Sequence, residues 1–217
     1  MILVRHGQSE GNAAGLLLGR ADSSMTPLGR AQAARLGEAL AERAGGSRGP
    51  GGRPLGVGGA SLPMRLLTSP LTRARLTAET IAEALGPNAP APEDEERLVE
   101  LDYGELEGRR PAELSRDLWA QWRADASWRP PGGESFLDLH RRLDPLWESL
   151  REEATEGDVI VVSHVSPIKA AVAWVLGASP DLAWKLSLGV ASITTISFAG
   201  PAPVLVSFGE TGHLLGL

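Results

Sequence analysis

The stretch Asp158-Val159-Ile160-Val161-Val162-Ser163-His164 decides the fold of this chain. Four consecutive β-branched apolar residues are typical of a strand that is buried on both faces of a parallel sheet. His164 lies just past the carboxyl end of this strand, where ligands bind to open α/β sheets. The stretch therefore predicts both a parallel sheet and the edge at which its functional site lies.

The amino terminus has the same arrangement of strand and histidine. Ile2-Leu3-Val4 is a short apolar β-type run that ends on Arg5-His6. This pattern predicts a strand with Arg5 and His6 at its carboxyl end. A further strand is predicted over 65–68. Because His6 and His164 each follow the carboxyl end of a strand, we expect the two histidines at the same edge of the sheet.

Segments with helical spacing alternate with these strands. Thr26-Pro27 predicts the start of a helix that runs to about Arg43, and Ser69-Pro70 predicts the cap of a helix through about Leu85. Further helices are predicted over 111–126, 135–154 with Ser135 and Asp138 as a capping pair, 167–176, and from Ser179-Pro180 onward. Strands that alternate with helices predict an α/β fold with a mostly parallel central sheet and helices on both faces.

Two β-type runs near the carboxyl terminus, 191–198 and 203–208, are joined by Gly200-Pro201. They predict a hairpin that adds an antiparallel edge strand to the sheet. Residues 96–110 predict a short extended stretch and a turn. Residues 45–63 are rich in Gly and Pro and predict a flexible surface insertion. We expect the 217 residues to form a single domain with that one insertion.

Composition narrows the classes of function. With 42% hydrophobic and 22% charged residues, the chain has enough apolar material for a sizeable core. It has no cysteine and begins without a basic leader, so we expect a cytoplasmic protein that is not bound to a membrane. Its formal net charge of −6 argues against nucleic acid as a partner, because such binding requires a positive field.

Four signals point to phosphoryl chemistry: Arg5-His6-Gly7, Arg73, Glu100 and Ser163-His164. A transferring phosphoryl group has three equatorial oxygens whose charge must be neutralised, and planar guanidinium groups match those oxygens. A histidine can attack phosphorus when one ring nitrogen is held by a backbone carbonyl and the other is unprotonated. The four signals together predict a site for a small phosphate ester.

The sequence resembles the histidine phosphatase superfamily, which is also called the phosphoglycerate mutase-like family. The resemblance rests on blocks that follow the family order: Leu3-Val4-Arg5-His6-Gly7-Gln8-Ser9-Glu10-Gly11-Asn12, Leu28-Gly29-Arg30-Ala31-Gln32-Ala33, Thr68-Ser69-Pro70-Leu71-Thr72-Arg73-Ala74, Thr77-Ala78-Glu79-Thr80, Glu100-Leu101-Asp102-Tyr103-Gly104-Glu105-Leu106-Glu107-Gly108, Gly132-Gly133-Glu134-Ser135 and Val161-Val162-Ser163-His164.

The resemblance implies a role for each matching residue. His6 is the expected phosphorylated nucleophile, and Arg5, Arg73 and His164 form the expected phosphate pocket. Asn12 is expected to be a further ligand, and Glu100 is the expected proton donor to the leaving oxygen. The scheme needs neither a metal nor another cofactor.

Other positions are open at this stage. Asp102 is an alternative acid two residues from Glu100. Gln8, Ser9, Gly19, Arg20 and Val165 are expected either to line the substrate mouth or to be loop residues that face water. His140 and His213 match no family position, so we expect a helix-surface residue and a tail residue.

The sequence departs from the commonest family motif after His164, where it reads Val165-Ser166-Pro167-Ile168-Lys169. This variant resembles actinobacterial α-ribazole phosphatase-like and broad-specificity phosphatases. Lys169 is expected to face away from the pocket. Trp119, Trp122 and Trp128 either form an apolar wall over the pocket or pack in a helix core, and we favour the core.

The leading functional hypothesis is a phosphomonoesterase that hydrolyses a small phosphorylated metabolite. A cofactor-dependent phosphoglycerate mutase is the alternative with the same chemistry. It is disfavoured because Leu101–Gly108 is acidic and apolar and does not suit a second anionic group. A catalytically silent phosphate-binding or dimerisation module is the alternative from another class. A monomer and a homodimer are both compatible with the sequence.

Overall fold

The computed structural model describes residues 1–44 and 63–217, and one six-stranded sheet lies at its centre. The strands are β1 Ile2–Arg5, β2 Arg65–Thr68, β3 Glu93–Asp94, β4 Val159–Ser163, β5 Ile193–Ser197 and β6 Val204–Glu210. They are arranged in the order β3-β2-β4-β1-β5-β6.

The sheet is parallel over its first four positions and antiparallel over its last two. β2 is parallel to both β3 and β4, and β4 is parallel to β1. β5 runs antiparallel to β1, and β6 runs antiparallel to β5 at the edge of the sheet. The predicted mostly parallel sheet with a carboxyl-terminal antiparallel edge is therefore confirmed.

The apolar run that opened the sequence analysis is the central strand β4, and all five of its residues are buried. It lies in register with β1, which places Val161 beside Leu3 and Val162 beside Val4. Successive side chains of a strand point to opposite faces, so these two pairs enter two different cores. Both faces of the sheet therefore need a cover of helices.

Helices cover both faces, as the sequence predicted. They are α1 Glu10–Ala13, α2 Pro27–Ala44, α3 Thr72–Leu85, α4 Arg116–Ala124, α5 Phe136–Glu156 and α6 Val165–Val175. Leu36 of α2 and Ile81 of α3 pack in the core that contains Val4. Leu143 of α5 and Ala170 of α6 pack in the core that contains Leu3.

Some helix boundaries differ from the predicted ones. α3 begins at Thr72 rather than next to Ser69, because the hydroxyl of Ser69 is engaged by His164 and does not cap the helix. The region 111–126 contains a short 3₁₀ turn, Pro111–Glu113, and then α4. Leu114 is extended between them, and Ser115 caps α4 by accepting a hydrogen bond from Leu118 N at 3.2 Å.

α6 begins at Val165, two residues earlier than predicted. Pro167 is its third residue, where a missing N–H costs nothing because the first N–H groups of a helix have no partner within it. The earlier start makes His164 the residue that immediately precedes the helix. It thereby brings backbone N–H groups of α6 to the predicted site.

The capping pair of α5 is confirmed, since Ser135 Oγ accepts from Asp138 N at 3.1 Å while Asp138 Oδ2 accepts from Ser135 N at 3.1 Å. The expectation that His140 lies on the helix surface is wrong. Its position falls on the buried face of α5, beside Leu139 and Leu143, and the residue is only 8% exposed.

His213 belongs to a short carboxyl-terminal turn, Gly212–Leu214, and is half-buried there. Its Nε2 lies 2.9 Å from Ala191 O, so it packs against the body of the protein. The predicted insertion at 45–63 lies, apart from Pro63, outside the described residues. None of the helices in residues 1–44 and 63–217 combines the length and the apolar character that a membrane crossing requires.

Candidate active site

The two key histidines meet at the carboxyl edge of the sheet. Arg5 at the end of β1 pairs with Ser163 at the end of β4, and His6 and His164 are the next residues of the two strands. His6 N donates to Ser163 O at 3.1 Å, and this bond fixes the ends of the two strands side by side. The imidazole centroids lie 4.9 Å apart, and neither side chain is more than 3% exposed.

The contacts of His6 prepare one ring nitrogen for attack. Nδ1 lies 2.7 Å from Gly7 O, and a carbonyl oxygen accepts only when this nitrogen carries the proton. Nε2 is then the unprotonated nitrogen. Burial lowers the pKa of His6 well below its usual value, and the charges of Arg5 and Arg73 lower it further. His6 is therefore a neutral imidazole with a free lone pair at neutral pH.

The backbone around His6 is held from both sides. Gly7 N donates to Thr77 Oγ1 at 3.1 Å, and this hydroxyl donates to Arg73 O at 2.7 Å. On the other side Ala191 N donates to His6 O at 3.0 Å. Ala191 adopts a φ of 52°, a left-handed conformation that is rare for a residue with a Cβ. Backbone strain of this kind clusters at functional sites.

His164 is oriented by a hydroxyl group. Its Nε2 lies 2.8 Å from Ser69 Oγ, whereas Nδ1 is buried and has no hydrogen-bond partner among the described residues. Burial lowers the pKa of His164 well below its usual value, and His6 and Arg73 lower it further. His164 therefore lines the cavity as a neutral ring that Ser69 orients.

Two guanidinium groups face the same cavity. Arg73 is 1% exposed, and its two terminal nitrogens donate to Ala21 O and Gly19 O, each at 2.9 Å. Arg5 Nη1 donates to Leu188 O at 2.5 Å, and its buried Nε has no partner among the described residues. Burial lowers the pKa of both groups, but arginine remains charged in proteins. The cavity is therefore built to hold an anion.

Glu100 lies at the amino terminus of α6. Its carboxylate accepts from Leu101 N at 2.7 Å, from Val165 N at 3.1 Å and from Ser166 N at 3.1 Å. The first N–H groups of a helix lack intrahelical partners and attract negative charge. The residue is 4% exposed and lines the cavity with the two histidines. The start of α6 thus fixes both His164 and the carboxylate.

Asp102, the alternative acid, lies outside this cavity. Its Oδ1 accepts from Gly104 N at 2.9 Å, and its Oδ2 is 3.5 Å from Arg20 Nε. It is not among the residues that line the cavity. Of the two carboxylates, only Glu100 is placed where a leaving oxygen can reach it.

The cavity has a volume of about 120 Å³ and brings most of the predicted residues together. Its lining contains seven of them, namely Arg5, His6, Asn12, Arg73, Glu100, His164 and Val165. The side-chain oxygen of Asn12 accepts from Ser9 N at 3.1 Å, so the amide of this residue is oriented by the cap of α1.

The other predicted residues do not line the cavity. Ser9 is buried and caps α1, and Gly19 holds Arg73 through its carbonyl oxygen. The side chain of Gln8 accepts from Thr26 Oγ1 at 2.9 Å. Arg20 lies over a neighbouring cleft, paired with Asp102. These four residues contact neighbouring parts of the protein, and a place for them at the substrate mouth stays a prediction.

Sequence reasoning missed Leu16, Leu17, Leu18 and Tyr103, which complete the cavity lining. Burial raises the pKa of Tyr103, and the charge of Glu100 raises it further. Tyr103 stood in the block that carried the family resemblance, two residues after Leu101. The apolar run 16–18 had no sequence signal, because only the fold brings that loop over the strand ends.

Lys169 does not line the phosphate cavity, so the prediction that it faces away from that pocket is not contradicted. Its side chain lines a second cavity together with Val165 and Tyr103, and its Nζ donates to Ala183 O at 2.9 Å. Lys169 lies four residues after Val165 on α6 and thus on the same helix face. Burial lowers the pKa of its amine.

The expectations for the tryptophans hold in part. Trp122 packs in the core, as we favoured, but it also forms the wall of the second cavity with Trp119. Trp128 packs against Trp122 with ring centroids 5.3 Å apart and does not line the cavity. Within the described residues, no three histidine or acidic side chains come together as a group that could hold a metal ion.

Comparison with known protein sequences identifies relatives of this chain. A model of the histidine phosphatase superfamily (branch 1) matches residues 1–46 and 60–211. A glucosyl-3-phosphoglycerate phosphatase of Mycolicibacterium vanbaalenii is 30% identical over 92% of this chain and 84% of its own length. Chains named 2,3-bisphosphoglycerate-dependent phosphoglycerate mutase match as well.

A solved structure agrees over almost the whole length. Phosphoserine phosphatase of Entamoeba histolytica in complex with 3-phosphoglyceric acid superimposes with a TM-score of 0.81 at 27% identity, covering 99% of this chain and 98% of that one. A bifunctional protein of Mycobacterium tuberculosis is 32% identical over 99% of this chain but only 54% of its own length. The chain thus spans about half the length of this mycobacterial relative.

Proposed function

Because the chain belongs to the histidine phosphatase superfamily, branch 1, we propose that it hydrolyses phosphate monoesters of small metabolites through a phosphohistidine at His6. The observation that carries the proposal is the contact of two buried histidine rings, with centroids 4.9 Å apart, in a cavity that also contains Arg5 and Arg73. One buried and one half-buried guanidinium group, together with two neutral imidazoles, can neutralise and orient a phosphoryl group.

In the first step, Nε2 of His6 attacks phosphorus in line with the ester oxygen. The N–P bond forms as the P–O ester bond breaks, and Arg5, Arg73 and His164 stabilise the charge on the three equatorial oxygens. Asn12 is a further ligand of these oxygens. Glu100 donates a proton to the departing alkoxide, so the alcohol leaves neutral.

In the second step, water hydrolyses the phosphohistidine. Glu100, now a carboxylate, takes a proton from the water as its oxygen attacks phosphorus, and the N–P bond breaks. Inorganic phosphate leaves, His6 regains its lone pair, and Glu100 is protonated for the next cycle. The scheme uses only the side chains of this chain and involves no metal or cofactor.

A phosphoglycerate mutase is the second candidate, and the mutases among the relatives favour it. A mutase must retain an anionic intermediate beside the phosphohistidine instead of admitting water. The segment Leu101–Gly108 contains three carboxylates and no basic residue, which disfavours a second phosphate there. Turnover of 3-phosphoglycerate to 2-phosphoglycerate that depends on the bisphosphate would establish this candidate.

Rapid-quench labelling tests the proposed function. With ³²P-labelled substrate, we expect an acid-labile, base-stable phosphoryl label on the wild-type protein and none on His6→Ala. His140→Gln is the matched control, because His140 lies in α5 and does not line the cavity. A label that persists in His6→Ala contradicts the proposed nucleophile, and absence of phosphate release from every ester contradicts the function.

We further infer one histidine phosphatase domain that acts in the cytoplasm on a small-molecule ester, without nucleic acid or a membrane as partner. Support comes from a single sheet built from both ends of the chain, from the absence of cysteine and from the net charge of −6. A monomer and a homodimer fit the proposal equally, and light scattering during gel filtration distinguishes them.

A further inference from the structure

A second cavity, of about 170 Å³, adjoins the phosphate cavity. Leu17, Tyr103 and Val165 line both cavities, so the two adjoin at these three side chains. An ester whose phosphorus lies next to His6 would have to extend its alcohol portion across this border to reach the second cavity. We call this second cavity the aromatic cavity, because five of its lining residues carry aromatic rings.

The rings of the aromatic cavity are held in fixed mutual orientations. Trp119 and Trp122 stack with centroids 5.6 Å apart and an angle of 10° between their planes. Trp184 presents its edge to both of them, at 6.0 Å and 5.6 Å. Phe136 lies edge-on to Trp184 at 5.2 Å. Rigid ring walls favour planar aromatic ligands, which gain from stacked and edge-to-face contacts at little cost in conformational entropy.

Lys169 is a polar group of the same cavity that can bond to a ligand. Its Nζ donates to Ala183 O at 2.9 Å, and an ammonium group has three N–H donors. The indole Nε1 atoms of Trp122 and Trp184 are buried away from the cavity space and take no part. A ligand with an acceptor atom can therefore pair with Lys169.

We propose that the aromatic cavity binds the leaving alcohol of the ester. It selects phosphate monoesters whose alcohol carries an aromatic ring with a hydrogen-bond acceptor. This inference rests on the proposed function. The phosphoryl group lies with His6, and the ring lies among Trp119, Trp122 and Trp184. Lys169 lies beside the ring as a donor. The selectivity thus comes from side chains that take no part in the transfer of the phosphoryl group.

A pair of substrates with similar leaving groups tests the proposal. Quinolin-6-ylmethyl phosphate and butyl phosphate are both esters of primary alcohols, so they need comparable help from an acid. We expect kcat/KM to be about tenfold higher or more for the quinoline ester, in line with the stacking contacts that the cavity offers. Equal values for the two esters would overturn the proposal.

Variants locate the source of the preference. Trp184→Leu keeps an apolar side chain but removes the ring, and we expect it to reduce the ratio of the two kcat/KM values by about threefold to tenfold. Trp119→Leu, in the half-buried outer part of the wall, provides an independent variant if Trp184→Leu fails to fold. Trp174→Leu is the control, because Trp174 packs on Phe198 and does not line the cavity.

The outcomes separate this inference from the proposed function. If neither ester is hydrolysed and His6 carries no label, the proposed function itself fails. If both esters are hydrolysed but Trp184→Leu and Trp119→Leu lower the two kcat/KM values equally, the function stands and the aromatic selectivity is wrong. A loss of the ratio in Trp174→Leu would likewise overturn the assignment to this cavity.

Discussion

The imidazole planes of His6 and His164 are inclined at 62° with their centroids 4.9 Å apart, and both rings lie beside the guanidinium groups of Arg5 and Arg73. The two rings belong to neighbouring parallel strands, so the sheet itself fixes their separation. A proton on either ring would be buried beside fixed positive charges. The pKa of each ring is consequently set by the whole cavity and not by the imidazole alone.

The first prediction concerns the titration of these rings. Burial and the neighbouring cations lower the pKa of both histidines well below the usual value of 6.5. We expect nitrogen-15 NMR of the ligand-free protein to show both rings neutral down to well below pH 6.5. Spectra of His140→Gln and His213→Gln assign the other two histidines. A resonance of His6 or His164 with a midpoint at 6.5 or above would contradict the prediction.

The second prediction concerns stability and pH. Below pH 6.5 the unfolded chain binds more protons than the folded one, because the folded pKa of His164 is depressed; stability therefore falls as pH falls. His164→Asn should reduce this slope between pH 6.5 and 5 by at most about 1.4 kcal/mol per pH unit. Urea unfolding at several pH values measures it. An unchanged slope in the variant would count against a buried neutral His164.

The third prediction concerns the acid. Glu100→Gln should slow turnover by about 100-fold or more for alkyl phosphates and much less for nitrophenyl phosphate, because a good leaving group barely needs a proton. Asp102→Asn is the matched control, since Asp102 bonds to Gly104 N and Arg20 outside the cavity. Steady-state kinetics with both substrates measure the effect. Equal losses for the two substrates in Glu100→Gln would remove it from the acid role.

The fourth prediction assigns a positioning role to Arg142. Its Nη2 donates to Val99 O at 3.0 Å and Glu100 O at 3.2 Å, and its Nε donates to Glu134 Oε1 at 2.7 Å. The guanidinium thus holds the backbone of Glu100, the proposed acid. Arg142→Met should lower kcat for alkyl phosphates more than for nitrophenyl phosphate, with a smaller effect on KM.

Arg141→Met is the matched control for this fourth prediction. Arg141 is the adjacent residue, its side chain is 67% exposed, and among the described residues its side chain bonds to Asp138 on the same helix. Arg142→Lys should restore little activity, because a single ammonium group cannot bridge the carbonyls and the carboxylate together. A loss of the same size for both substrates in Arg142→Met would indicate a general structural role instead.

The fifth prediction concerns the loop behind the nucleophile. A Cβ on Gly7 would lie 2.4 Å from Gly29 O and 2.8 Å from Met25 Cε. Gly7→Ala should therefore lower the free energy of unfolding by about 1–3 kcal/mol. Gly212→Ala is the control, because a Cβ there meets no atom within 4 Å, and its effect should stay within about 0.5 kcal/mol. Urea unfolding distinguishes the two variants.

The sheet was predictable because its signals are local. The run 159–162 is apolar without interruption, and the histidines follow strands directly, so both the central strand and the site edge could be inferred from short stretches. The hairpin of β5 and β6 followed from two β-type runs and a Gly-Pro turn. Each of these features depends on neighbours in sequence.

The features that the sequence did not reveal depend on distant contacts. His140 matches no family position, and it is buried because it lies four residues after Phe136 and three before Leu143, on the face of α5 that packs in the core. Ser69-Pro70 has the sequence of a helix cap, but the hydroxyl of Ser69 is hydrogen-bonded to His164, 95 residues away. The apolar run 16–18 and the side chain of Lys169 became site features only when loops and helices closed over the strand ends.

The two cavities share Leu17, Tyr103 and Val165 but take their distinctive residues from different parts of the chain. The phosphate cavity takes its histidines from the residues that follow β1 and β4, its arginines from β1 and α3, and Glu100 from the loop between β3 and α4. The aromatic cavity takes its tryptophans from α4 and from the 3₁₀ turn Pro180–Lys185. If the proposals hold, substitutions on the cavity-facing sides of these two segments can change which alcohol is recognised while the residues that transfer the phosphoryl group stay the same.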